Sequence, residues 1–149
     1  MKKLLVVLVM LFVAGSINAQ KPNPVKWSFN AVKKSEKQYD LVATAVIDAS
    51  WHVYSQFVSG GPIPTHFTFS KNPLIQLVGK TKEVGKLQKM FDKNFNTNLA
   101  FFSDKVDFIQ TVNLKVASKT TLAGTVEYSV CNDDRCLPPA KVSFEVALH

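Results

Sequence analysis

The chain has 149 residues, with 18 basic against 11 acidic side chains and a formal charge of +7. Its basic residues are scattered lysines plus a single arginine, Arg135. This excludes the clustered basic face of a nucleic-acid binder and leaves solubility and a mild preference for acidic partners.

In chain order, the first feature is a leader. Lys2 and Lys3 precede an apolar run from Leu4 to Val13, and Ala14-Gly15-Ser16 and Ile17-Asn18-Ala19 end it on a small residue. This is the three-part plan of a secretory signal, with cleavage expected after Ala19. A run of about ten apolar residues is too short to span a bilayer, which takes roughly 20. No cysteine follows the cleavage point, so a lipid anchor is not expected, and no later segment is long and apolar enough to cross a membrane. Residues 1–19 are therefore expected to be removed, and residues 20–149 to form one exported, soluble domain in an oxidising compartment. Losing Lys2 and Lys3 lowers the formal charge from +7 to +5. A domain of this length buries a real core without metals or many disulfides.

The remainder reads as strands. Leu41, Ala43, Ala45 and Ile47 alternate with Val42, Thr44 and Val46. Phe108, Gln110, Val112, Leu114 and Val116 face away from Asp107, Thr111, Asn113 and Lys115. Val126, Tyr128 and Val130 form a third alternating set, and Val142, Phe144, Val146 and Leu148 a fourth. Period two over such lengths marks strands with one buried face. Shorter candidates are Val25–Phe29, Trp51–Tyr54, Thr65–Phe69, Leu74–Val78 and Leu99–Phe102. Turn signals lie at Gly60-Gly61-Pro62, Asn72-Pro73, Ala123-Gly124 and Pro138-Pro139. Lys80–Asn98 is the longest stretch expected to be irregular, with at most a helical turn or two around Val84–Phe91. About eight or nine short strands predict an all-β, immunoglobulin-like two-sheet sandwich, with a small barrel as the alternative.

The two cysteines, Cys131 and Cys136, enclose Asn132-Asp133-Asp134-Arg135 near the last strand. In an exported protein they tend to oxidise to each other. Closing a loop of about six residues contributes only about 2 kcal/mol, among the smallest values for a disulfide. As a structural staple the pair is poorly placed; as an exchange site it is well placed, with Arg135 favouring a thiolate at Cys136 and Asp133 and Asp134 opposing it. Spacing alone leaves both readings open. A zinc site is disfavoured, because His52, His66 and His149 show no ligand spacing with the cysteines.

Cys131-x4-Cys136-Leu137-Pro138-Pro139 resembles the active-site motif of the N-terminal periplasmic domain of the DsbD family of thiol:disulfide interchange proteins. Trp51-His52-Val53-Tyr54-Ser55-Gln56 with Gly60-Gly61-Pro62-Ile63-Pro64-Thr65 is similar to the family's aromatic strand and the turn after it. Phe95-Asn96-Thr97-Asn98-Leu99-Ala100-Phe101-Phe102 is similar to the segment holding its cap loop. The resemblance implies an immunoglobulin-like fold and a periplasmic electron relay. Its partners would be a thioredoxin-like domain of a transmembrane reductase and oxidised periplasmic thiol proteins. No cofactor is implied, since the sulfurs carry the electrons. Cys136 would form mixed disulfides with partners and Cys131 would resolve them. Phe95 would be the cap that shields the pair, and Tyr54 an aromatic lining the site.

Three local departures bear on proton handling and partner choice. Four residues separate the cysteines where other members have five, Lys93 and Asn94 replace acidic residues before the cap, and His52 stands where the family has an aromatic hydroxyl. Because the chain stops at His149 without a membrane or thioredoxin-like domain, it is expected to act as a free, monomeric shuttle or with a separately encoded reductase. Turnover of the pair would make it a protein-disulfide reductase-type thiol–disulfide oxidoreductase. The competing reading is a secreted immunoglobulin-like binding domain whose disulfide is structural. In that reading Phe95, Tyr54, His52 and Arg135 are ordinary core or solvated residues. A metal chaperone is opposed by Met90 being the single methionine after the leader.

Overall fold

The computed structural model describes residues 23–93 and 95–149, so the leader lies outside the described residues. Eleven strands follow one another: β1 (Val25–Lys33), β2 (Gln38–Ile47), β3 (His52–Tyr54), β4 (His66–Phe69), β5 (Ile75–Gly85), β6 (Gln88–Asp92), β7 (Thr97–Phe102), β8 (Lys105–Leu114), β9 (Thr120–Tyr128), β10 (Val130–Cys131) and β11 (Ala140–Leu148). Every pairing between them is antiparallel. One sheet has the order β1-β2-β8-β5, a second β10-β3-β7-β6 and a third β11-β9-β4. This is the expected immunoglobulin-like sandwich with its second layer divided. The division occurs after Tyr128, where the chain leaves β9, paired with β11 and β4, and enters β10, paired with β3.

The core follows from the alternation. Leu41, Ala43, Ala45 and Ile47 of β2 and Val106, Phe108, Val112 and Leu114 of β8 are buried against Leu122, Val126 and Tyr128 of β9 and Phe144, Val146 and Leu148 of β11. Aromatic side chains join the layers: Phe29 stacks on Phe144 at 4.8 Å, and Phe67 lies 5.3 Å from Phe108. Val116, expected on the buried face of β8, lies beyond the strand end and is exposed.

Two expectations are corrected. Lys80–Asn98 is not irregular. Most of it belongs to the second half of β5 and to a β6–β7 hairpin, and there is no helical turn at Val84–Phe91. A bulge between Val78 and Lys82, with Gly79 at φ 67°, interrupts β5 and hides its period. The Ala123-Gly124 turn signal is also wrong. Gly124 sits inside β9, where a Cβ would collide with the Thr68 carbonyl and the Phe144 ring, so the glycine serves close approach.

Candidate functional site and family

The site is built on the second sheet by the same period of two. Val53, Phe102 and Val130 point into the main core. Their neighbours point the other way: Tyr54, Leu99 and Cys131 form a separate small buried cluster with Val58. Cys131 is the direct cross-strand partner of His52. Tyr54 is likewise opposite Phe101, and Leu99 opposite Met90. Residues paired this way share a face of the sheet. The face therefore carries Cys131, His52, Tyr54, Phe101 and Met90 together.

Cys131 and Cys136 are joined as a disulfide across five positions of sequence. Cys131 is buried, with 2% exposure, whereas Cys136 is exposed. The loop between them is held by Asn132. Its side-chain Oδ1 accepts hydrogen bonds from the backbone N–H groups of Asp134 at 3.0 Å and Arg135 at 2.8 Å. Its own N–H donates to the Arg135 carbonyl at 2.9 Å, and the Leu137 N–H returns to the Val130 carbonyl at 3.0 Å. This is the turn chemistry of an Asx residue.

A cleft of about 460 Å³ opens beside the disulfide. Cys131, Cys136, His52, Tyr54, Phe95 and Arg135 all line it, as do Met90, Asp92, Asn132, Asp133 and Asp134. Phe95 lies in the tight turn between β6 and β7 and is 44% exposed. Its N–H donates to Asp92 Oδ1 at 3.2 Å, and Asn96 takes the left-handed conformation at φ 51° that returns the chain.

His52 is buried, and its Nε2 lies 3.1 Å from the Tyr54 hydroxyl. Phe101 packs on the imidazole at 4.7 Å. Burial holds the His52 pKa below its ordinary value, with the Asp133 charge pulling it partly back. Tyr54 is pushed up to about 12, chiefly by burial and further by the charge of Asp92. Below that value the phenol keeps its proton and remains a hydrogen-bond donor. Three carboxylates and one guanidinium line the cleft, so it is locally acidic on a basic protein.

Asn132, Met90 and Asp92 were not singled out from sequence as residues of this site. An Asx turn was legible in Asn132-Asp133-Asp134. Met90 and Asp92 carried no signal, because β6 has no fully buried face.

Residues 19–148 match the family described as thiol:disulfide interchange protein DsbD, N-terminal. The chain belongs to the DsbD N-terminal family. This DsbD N-terminal domain is thus a thiol–disulfide interchange module. None of the curated proteins matches it in sequence. Among solved structures it is similar to the reduced DsbD N-terminal domain of Neisseria meningitidis, at TM-score 0.56 and 11% identity over 89% of this chain and 94% of that one. It is also similar to the N-terminal periplasmic domain of ScsB from Proteus mirabilis, at TM-score 0.62 and 14% identity, covering 88% of this chain and 49% of that one. A third likeness, at TM-score 0.50 and 12% identity, is to the Neisseria meningitidis complex of DsbD and PilB N-terminal domains, over 86% of this chain and 88% of that one.

Proposed function

We propose that this domain relays electrons in the periplasm, between the thioredoxin-like domain of a transmembrane reductase and oxidised periplasmic thiol proteins, through Cys131 and Cys136. The observation that carries this reading is the asymmetry of the pair: one sulfur-bearing residue is buried, the other is exposed, and both line one cleft. An incoming thiolate reaches Cys136, the new intermolecular bond forms there, and the electron pair of the old bond leaves on Cys131. A second thiol of the donor then releases Cys136, so two electrons enter the domain. Delivery to an oxidised substrate is the reverse sequence. No cofactor is required.

Residues 1–19 serve as the export signal, residues 20–149 form the working domain, and the domain acts as a monomer. Phe95 shields the disulfide, Tyr54 and His52 shape the wall behind it, and Arg135 flanks the attacked sulfur. The naming of the ScsB relative as periplasmic supports the location, and the DsbD–PilB complex supports a protein partner. The alternative of a purely structural disulfide is weaker. A loop of about six residues stabilises by only about 2 kcal/mol, and this one lies apart from the main core. Trapping tests the assignment. Cys131→Ser, which leaves Cys136 free, captures a thioredoxin-like partner as a mixed disulfide on a non-reducing gel, and Cys136→Ser captures little. Equal capture by both variants contradicts it.

A further inference from the structure

We propose that His52 is the proton acceptor for Cys131, the base that frees the buried thiol to resolve a mixed disulfide. The inference rests on the exchange reading above. Resolution requires a thiolate, and a thiol shielded from solvent cannot rely on bulk base. Cys131 is 2% exposed and His52 is 7% exposed. The two are direct antiparallel partners on β10 and β3, which places their Cβ atoms about 4.5–5.5 Å apart on one face of the sheet. Both line the same cleft.

The imidazole is held from two sides, by the Tyr54 hydroxyl at Nε2 and by the Phe101 ring. In the tautomer whose Nε2–H donates to the Tyr54 oxygen, Nδ1 holds the free lone pair and is the nitrogen that accepts the proton. The charged and titratable groups around the ring come from three elements. Tyr54 lies on its own strand, Asp92 on β6, and Asp133, Asp134, Arg135 and Cys136 on the disulfide loop. Burial keeps the ring neutral, the form that accepts a proton, and the Asp133 carboxylate favours the imidazolium once formed.

In the reduced domain, the Cys136 thiolate attacks a substrate disulfide. A bond forms between Cys136 and one substrate sulfur, and the other leaves with the electron pair. The Cys131 thiol then gives its proton to His52, and its sulfur bonds to Cys136 Sγ. The intermolecular bond breaks, and its electron pair departs on the remaining substrate sulfur. That sulfur takes a proton from the imidazolium or from solvent. Two electrons pass from the domain to the substrate; the Cys131 proton leaves through His52, and the substrate sulfur that left first, as a thiolate, takes its proton from solvent.

The test uses the reduced wild-type domain, His52→Gln and His52→Ala with excess dithiobis(nitrobenzoate) in stopped flow. The first, bimolecular release reports attack by Cys136, and the second, concentration-independent release reports resolution by Cys131. His52→Gln slows the second phase by about 10²-fold more than the first near neutral pH, within the range typical of a lost general base. The wild-type second phase levels off above the His52 pKa, whereas that of the variant keeps rising with pH. Added imidazole restores the second phase of His52→Ala. A second phase with the wild-type rate and pH profile in His52→Gln overturns the proposal alone. A wild-type domain that releases no second equivalent overturns the exchange reading, and the proposal with it.

Discussion

Phe95 is the side chain whose removal separates shielding from packing. It is 44% exposed, yet it lines the cleft that holds the disulfide. Phe95→Ala is expected to speed reaction of the reduced pair with a small aromatic disulfide, read by stopped flow. Its stability loss in a denaturant melt should fall below the about 3–5 kcal/mol of a core Phe→Ala change. An unchanged rate with a core-sized loss marks Phe95 as interior packing. His52 makes a second prediction. Because burial lowers its native pKa below the ordinary 6.5, both states are neutral above that value. As pH falls from there toward the native pKa, the unfolded chain binds a proton that the native domain does not, and stability decreases. Denaturant melts across this window should show the decline in the wild type and lose part of it in His52→Phe.

At the scale of elements, the bulge in β5 depends on one buried amide. Gln110, 3% exposed, lies in an otherwise apolar stripe of β8. Its Nε2 donates to the Val78 carbonyl at 3.1 Å and the Thr111 carbonyl at 2.9 Å, and its Oε1 accepts from Thr81 Oγ1 at 2.9 Å. Gln110→Leu strips the bulge of these partners and is expected to destabilise the domain by about 1–3 kcal/mol in a urea melt, the cost of unsatisfied buried polar groups. Just past the bulge, Glu83 accepts hydrogen bonds from Ser55 Oγ at 2.9 Å and the Gln56 N–H at 2.7 Å, tying β5 to the segment that leaves β3. These same elements mark where sequence reading stopped. β2, β8, β9 and β11 were legible because one face of each is buried and the pattern repeats. The first half of β5 was legible as Leu74–Val78, but its second half and β6 were not, since β5 alternates poorly across its bulge and β6 has no buried face. The cysteine loop was legible as a pair from its spacing, and the aromatic strand was tied to it by the resemblance to the family. The grouping of Met90 and Asp92 with them depended on a hairpin that no hydrophobic pattern announced.

For the whole molecule, the division of the apolar interior into a main core and a small cluster under the disulfide sets how far the redox state reaches. Val130 belongs to the first and Cys131 to the second. Reduction is therefore expected to leave the sandwich folded by circular dichroism, lowering stability by about 2 kcal/mol or less. Global unfolding on adding reductant would return the pair to a structural role.

Cys136 is exposed and Cys131 is buried, so the molecule has a bonding valence of one toward other thiol proteins. A linear polymer of disulfide-linked chains needs two reachable sulfurs on every unit. A copy joined at Cys136 has no second outward sulfur from which to continue, so it terminates such a chain rather than extending it. In a crowded oxidising mixture its covalent adducts stop at pairs, and non-reducing gels should show single bands of complex with no ladder above them.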